Sequence, residues 1–460
     1  MELTKAKELL LTAIRKKIFQ YNKEGIQEFT FIRKAISINE LDLLSWLYSQ
    51  KSDLNKFYWN DKIGDLEVAG ICIADQYTDR FIDENKLSNS LEYLHKKIIS
   101  APDGIRYYGG MNFCKDYSSE KKWQPFGRYN FIAPEFELIN MKGKYTLACN
   151  FLYSPKQNIS SQLAKFNNEF DTIKWNSTRS NNQSIFNRTV RTNYIPDKEK
   201  WNNIINNVLN SIKKNTVDKI VVSRVVQIIK KNEIDIQKII HNLTISNPKT
   251  VIFAFQPEKF MTFTGASPEL LYSRENDCIK AQAIAGTRIR GKNNKTDCLL
   301  GKELLTSQKE LSEHKYVLQY VENSLKKLCS NITDKQKQKI LKLSTLQHLC
   351  SNFEGKLNKQ ITDNMILSEL HPTPATGGCP TERALEMIHK YEPFERGWYS
   401  APIGWLSKDS AKFVVAIRSA LINQKSISIY AGSGIVEKST PDNEWQETED
   451  KINNFLKSLV

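Results

Sequence analysis

Near the C-terminal end of this 460-residue chain, Glu444, Glu447 and Lys451 recur at i, i+3 and i+7 within GSGIVEKSTPDNEWQETEDK. In a helix running from Asn443 they share one face. Two carboxylates and an ammonium on one stripe can hold a hard cation and an anion bridged to it. A second acidic set, Glu303, Glu310 and Glu313, is spaced for one face of another helix. Carboxylate pairs on two helices suit Mg²⁺, which keeps waters and takes one or two carboxylates plus a substrate anion. A zinc centre is disfavoured, because no His/Cys cluster with ligand spacing occurs. Solvated, ion-paired helix faces would use the same residues, so spacing alone leaves both readings open.

Three further residues stand where chemistry could use them. Lys219 is at the entrance of KIVVSRVVQII, with Ser223 and Val225 on its face by the period of two; a lysine at a strand start also commonly snorkels into solvent. Glu269 closes GASPE, read as a tight turn whose acid heads the next strand. Arg418 is read as mid-strand in FVVAIRSAL, where a buried guanidinium needs a carboxylate from the protein or from a substrate.

The elements that must position these groups follow from hydrophobic period and turn chemistry. Strands are expected at 57–59, 68–74, 131–136, 145–153, 219–229, 251–256, 261–264, 269–273, 279–284, 346–353, 399–406 and 412–422. Helices are expected at 41–50, 198–214 and 297–328, and at 381–391 with Thr381 as its cap. Ala285-Gly286-Thr287-Arg288 reads as a turn straight off a strand, and small residues there and at Gly265 would let a ligand approach the backbone. Ordinary hairpin connections would look the same. HPTPATGGCP, residues 371–380, is a rigid loop fit to wall a site or to cross between elements. Gly109-Gly110 reads as a bulge or tight turn, and polar residues 157–187 as a linker. The expected division is 1–190, an N-terminal region of the same globule, and 191–460, the catalytic region.

Composition narrows the class. Hydrophobic residues make up 40% and aromatics 10%, the balance of a soluble globular chain long enough for a large core. The net charge of +15 is spread among asparagines and isoleucines without a basic block, which argues against a nucleic-acid module and suits attraction of a small dianion. The eight cysteines include no CxxC pair and read as reduced thiols of a cytoplasmic protein. No apolar run approaches the length of a membrane span.

Taken together, KIVVSR, GASPELL, AIAGTR, KELSEH, HPTPATGGCP, AIRSAL and AGSGIVEKSTPDNEWQETEDK resemble the chorismate-utilising enzymes, and in the family's order. That family includes isochorismate, salicylate, anthranilate and aminodeoxychorismate synthases. The resemblance implies an α/β (α+β) globule of large stacked antiparallel sheets flanked by helices. Lys219 matches the members that add water to chorismate. Ala375, where salicylate synthases tend to carry threonine, favours stopping at isochorismate. LSWL, FYWN and GGMNF are most similar to the menaquinone-pathway isochorismate synthases.

The resemblance further implies Lys219 as general base toward a water attacking C2, and Glu269 as general acid toward the C4 hydroxyl. Such a lysine needs its pKa lowered, by burial or by cations such as Arg224 or Arg288, and such a glutamate needs its pKa raised by desolvation. It implies Glu313 and Glu447 as Mg²⁺ ligands, with Glu310 and Glu444 beside them. Lys451, Arg418, Tyr399 and Gly432 would meet the substrate's carboxylates, and Gly286 and Thr287 its ring. His348 and His371 are either support for this site or satisfied structural histidines. Chorismate is the implied partner, with no nucleic acid and no membrane, and a monomer or homodimer as the assembly.

Overall fold

A computed structural model of the chain describes residues 1–79, 90–114, 120–175, 188–335 and 338–459. Two antiparallel sheets dominate it. The first joins twelve strands, and its neighbour order ends Lys56–Asp61, Val251–Glu258, Met261–Ser267, Ser419–Asn423, Ser426–Ile435, Lys219–Lys230 and Gly378–Cys379. The second joins ten, with Leu346–Leu357, Cys278–Ile289, Leu270–Glu275, Ser410–Val415, Pro402–Leu406 and Tyr107–Met111 as consecutive neighbours. Strands from before and after residue 190 hydrogen-bond in both sheets: Lys56–Asp61 pairs with Val251–Glu258, and Tyr107–Met111 with Pro402–Leu406.

The near-continuous apolar character of the strands follows from where they lie. Phe57, Trp59, Phe253 and Phe263 of the first sheet pack on Tyr108, Ile403, Trp405 and Val414 of the second. The outer face of the first sheet is covered by helices that bring in Leu10, Ile14, Trp46 and Ile240. The outer face of the second takes Val317, Val321 and Leu325 of the Gln308–Leu328 helix, spaced by four. The result is helix, sheet, sheet, helix, with an aromatic middle layer.

Several local expectations change. The apolar run 412–422 is two strands: Ser410–Val415 lies in the second sheet and Ser419–Asn423 in the first. Arg418 therefore occupies the crossover, with φ of 53°, rather than mid-strand. Gly265 lies inside the Met261–Ser267 strand, and the step to the second sheet is confined to Pro268-Glu269. Gly286, φ 74°, is not a turn; it is a bulge within Cys278–Ile289, where the register to Leu346–Leu357 shifts between Ala285 and Thr287. The long helix is two, Asn294–Thr306 and Gln308–Leu328, broken at Ser307. Glu303 falls on the first and is exposed, so it leaves the stripe of Glu310 and Glu313.

The Thr381–Tyr391 helix is capped by Pro380 without a side-chain bond. Gly109 and Gly110 lie in the regular strand Tyr107–Met111; a Cβ would run into Asn130 O at the first and into the Trp398 ring at the second. Of the expected linker, Ile159–Thr172 is a helix burying Phe166 and Phe170, while residues 176–187 lie outside the described residues. Strands at Cys329–Lys335 and Lys339–Lys342 were not expected. No helix among the described residues is long and apolar enough to cross a membrane.

Candidate active site

Two short crossovers between the sheets meet at one cavity. Pro268-Glu269 and Ile417-Arg418 both line it, and they are tied together by Ala266 N–H to Arg418 O at 3.1 Å, Val415 N–H to Glu269 O at 3.0 Å and Ser267 Oγ to Val415 O at 2.6 Å. The backbone there is held from both sheets, so the carboxyl and the guanidinium are fixed by hydrogen bonds rather than by loop packing. Glu269 is 5% exposed. Burial pushes its carboxyl up to about 7, against the opposing pull of Lys219, Lys451 and Arg418. It is thus a carboxyl protonated near neutrality and aimed at a cavity, which is the state a general acid needs.

Lys219 opens the Lys219–Lys230 strand and is fully buried, so snorkelling is excluded. It does not line the cavity itself; its ammonium sits 3.0 Å from Glu313 Oε1, and Glu313 does line it. That ion pair falls outside hydrogen-bond geometry, leaving the Lys219 donors otherwise unsatisfied. The cations expected beside Lys219 serve elsewhere. Arg224 faces the closing helix, where it bonds Thr448 and Glu449, and Arg288 bonds Glu310 at 2.9 Å.

The closing helix runs Pro441–Leu456, begun by Thr440 accepting from Asn443 N–H and by Pro441 in its first turn. It brings Glu447 and Lys451 to the cavity, joined at 2.6 Å, and Lys451 also donates to Gly432 O at 2.9 Å. Burial acts to raise the Glu447 carboxyl, but Lys451 and Lys309 outweigh it and hold Glu447 at about 2. Glu444, on the same stripe, is fully buried and accepts from Lys309 at 2.7 Å and from Ser433 Oγ at 2.5 Å. Glu310 accepts from the Thr287 amide and Arg288, both at 2.9 Å. Neither Glu310 nor Glu444 lines the cavity. Burial raises both, and the neighbouring carboxylates, Glu313 for Glu310 and Glu447 for Glu444, raise them further. The two acidic stripes therefore converge within electrostatic reach.

Glu313 and Glu447 present carboxylates to the cavity from different helices, but among the described residues no three His, Cys, Asp or Glu side chains are grouped to hold a metal ion. Two carboxylates alone suit only a hard cation that keeps waters and takes a ligand's own oxygens. Gly434 permits the arrangement, since a Cβ there would collide with Glu313 Oε1 and sit 3.0 Å from Lys219 Cε.

Another part of the cavity lining is cationic and aromatic. Arg418 is deeply buried, and burial draws its guanidinium down to about 10 despite Glu447, Tyr399 and Glu269. Its Nη1 has no partner, while Nη2 lies 3.4 Å from His348 Nε2. His348 Nδ1 is 3.2 Å from both Gly286 O and Thr287 Oγ1. Burial, then the charge of Arg418, lowers His348 to about 3, so the ring is neutral. With Nδ1–H donated to the carbonyl, Nε2 accepts from Arg418. Tyr399 stacks on Tyr430 at 5.1 Å, and both line the cavity with Gly286, Thr287 and Gly432. A buried guanidinium with one nitrogen still unpartnered can receive a carboxylate.

His371 stands apart. Its Nε2 pairs with Phe113 O at 3.2 Å, and it does not line the cavity. Sequence reasoning missed Lys309, the lysine inside KELSEH that lies among Glu444, Glu447 and Glu313. It also missed Ser433, Tyr430 and Ser400. Ser433 could have been suspected from its position between the two glycines of GSG; Ser400 and Tyr430 gave no signal.

Known proteins share the fold along nearly the whole chain. Residues 16–460 match the family profile described as chorismate binding enzyme. The chain is 28% identical over 459 residues to isochorismate synthase MenF of Bacillus subtilis, covering 95% of each chain. It is 33% identical to isochorismate synthase DhbC of the same organism, over 58% of this chain and 69% of that one. A solved structure of MenF, the menaquinone-specific isochorismate synthase of Escherichia coli, superposes with a TM-score of 0.82 at 24% identity, covering 97% of this chain and all of that one.

Proposed function

Because the chain belongs to the chorismate binding enzymes, we propose that it is an isochorismate synthase, an isomerase that adds water at C2 of chorismate as the C4 hydroxyl leaves. The observation that carries this reading is that Glu269, a buried carboxyl raised to about 7, lines the same cavity as Arg418 and Tyr399 and lies in the field of the buried Lys219. Lys219, once its ammonium has given up a proton, accepts the proton of the attacking water, and Glu269 gives its proton to the departing hydroxyl, so one water enters and one leaves. A matched base and acid of this kind contribute about 10²–10⁴-fold each. Arg418, with its free Nη1, and Tyr399 take the enolpyruvyl carboxylate, and Lys451 helps neutralise the ring carboxylate. Gly286 and Thr287 bound the ring, and the Gly432 amide stands beside the enolpyruvyl carboxylate.

Glu313 and Glu447 would hold Mg²⁺, supported by Glu310 and Glu444. Bound there, the ion would neutralise the carboxylates and orient the ring carboxylate of the substrate. Match over nearly the full length to MenF, against 58% of the chain to DhbC, favours the menaquinone-pathway type. A cytoplasmic location accords with eight cysteines that are thiols rather than disulfides. Chorismate is the partner, and monomer or homodimer the assembly. No basic block supports nucleic-acid binding, and no membrane-spanning helix is seen among the described residues.

The test is purified protein with chorismate and MgCl₂, products resolved by chromatography. Isochorismate alone is expected. Salicylate with pyruvate would make it a salicylate synthase, and unchanged chorismate or ammonia-dependent anthranilate would overturn the reading. Lys219→Ala should lose at least ~10²-fold in kcat with unchanged circular dichroism; near-normal turnover would remove Lys219 from the mechanism.

A further inference from the structure

Behind the cavity lies a buried ion pair that the chemistry above does not use. Glu392 and Arg396 follow the Thr381–Tyr391 helix in YEPFERGW, and their side chains are 2% and 3% exposed. Neither lines the cavity. Arg396 uses all five of its N–H donors. Nε and Nη2 grip Glu392 at 2.8 and 2.5 Å. Nη2 also bonds Val221 O at 2.8 Å, and Nη1 bonds Thr376 O at 2.7 Å and Ser400 Oγ at 3.3 Å. Glu392 Oε1 accepts from Ser223 N–H at 2.7 Å. The guanidinium lies over the Phe113 ring at 4.3 Å, which closes its remaining face.

The acceptors are not scattered. Val221, Thr376 and Ser400 all line the cavity, yet they come from three segments: the Lys219–Lys230 strand, the HPTPATGGCP loop and the stretch carrying Tyr399. Ser400 has φ of 56°, a conformation costly for serine that persists only when its surroundings impose it. Here Ser400 N–H donates to Ala416 O at 3.0 Å, on the crossover leading to Arg418, while its hydroxyl meets Arg396.

A buried ion pair is weak support for stability in itself, since apolar residues of like volume often serve as well. What apolar residues cannot do is fix three backbone segments at set distances from one planar group. We propose that Glu392 and Arg396 are positioning residues for substrate binding, setting the spacing of the wall built by Val221, Thr376 and Ser400 and, through Ser400, of Tyr399 beside it. This rests on the cavity being the chorismate site.

Arg396→Lys keeps the charge but presents three donors from one nitrogen, so it cannot hold Glu392 and all three wall segments together. The expected result is a KM for chorismate raised about tenfold or more, with kcat at saturation within about threefold of wild type, because misplaced walls weaken binding of ground and transition state alike. Glu392→Gln, which preserves shape and the acceptor for Ser223 N–H, should shift KM in the same direction by a smaller factor. Kinetics are read at a temperature where thermal unfolding shows each variant folded, and if Arg396→Lys does not fold, Glu392→Gln decides. A purely structural pair would lower the unfolding temperature and the active fraction while leaving KM at its wild-type value, and that result overturns the proposal. Wild-type enzyme measured alongside separates the two claims: if it does not consume chorismate, the reading of the cavity fails; if it does and KM is unmoved in the folded variant, the positioning role fails.

Discussion

Glu269→Gln tests the acid by two opposite effects of one substitution. The native carboxyl is raised from 4.5 to about 7, chiefly by burial. Below the unfolded value both states are protonated, and the group has no effect on stability. Between about 4.5 and 7 the unfolded chain releases its proton while the folded one retains it, so stability falls as pH rises. Above 7 the loss levels off at roughly 3 kcal/mol, at about 1.36 kcal/mol per pH unit. Glutamine has the shape of the neutral acid and does not titrate. The variant should therefore match wild type in urea unfolding at pH 4, gain through pH 5–7, and exceed it by ~2–4 kcal/mol at pH 8–9. At the same time kcat should fall by at least ~10²-fold, because the departing hydroxyl has lost its proton source. Wild-type kcat/KM should itself decline as pH rises through about 7. A stability difference that stays flat from pH 5 to 9 would show that burial does not raise this carboxyl, and the assignment of the acid would fall with it.

Other outcomes follow from contacts near the cavity. Gly434→Ala places a methyl against Glu313 and Lys219 and should reduce kcat/KM by ~10-fold or more with little change in unfolding temperature; wild-type kinetics would refute the close approach. Glu447→Gln should raise the Mg²⁺ concentration for half-maximal activity by about tenfold or more, measured by metal titration at fixed chorismate; an unchanged titration would remove Glu447 from the ion's ligands. Arg224→Met unpins the closing helix, because Arg224 joins Thr448 at 2.6 Å and Glu449 at 2.5 Å and lies 3.8 Å from the Trp445 ring centroid. A loss of ~2–4 kcal/mol in unfolding free energy is expected, and a neutral effect would show that the helix is held by its apolar face alone.

The helical stripe of the candidate site was legible because residue types and helical spacing are local properties, whereas roles for Lys219, Glu269 and Arg418 came only from the family resemblance. Glu444, Glu447 and Lys451 share a face whatever the rest of the chain does, and the structure keeps them there. What spacing could not supply was partnership. That Glu444 would pair with Lys309, from the other acidic helix, and Lys219 with Glu313 depends on tertiary approach. Backbone exceptions were equally hidden. FVVAIRSAL is one apolar run and reads as one strand, because nothing in its composition marks a non-glycine residue at positive φ. Ser307 ends one helix and begins the next without a glycine or proline to announce it. In residues 159–172 serine and asparagine masked Phe166 and Phe170, whose four-residue spacing was the available helix signal.

The two crossovers at Pro268-Glu269 and Ile417-Arg418 make Glu269 and Arg418 part of the stitching between sheets. Each is one step of chain from strands belonging to different layers. Insertions are tolerated where a loop can lengthen into solvent, but here even one added residue would shift a strand's register in one layer against the other. The same linkage runs the other way: a cavity-forming substitution such as Phe253→Ala or Trp405→Ala in the aromatic middle layer changes how closely the sheets approach, and so the distance between Glu269 and Arg418. In this fold, repacking the interior far from the ligand is a way of tuning catalysis, and a screen for activity variants would find them there.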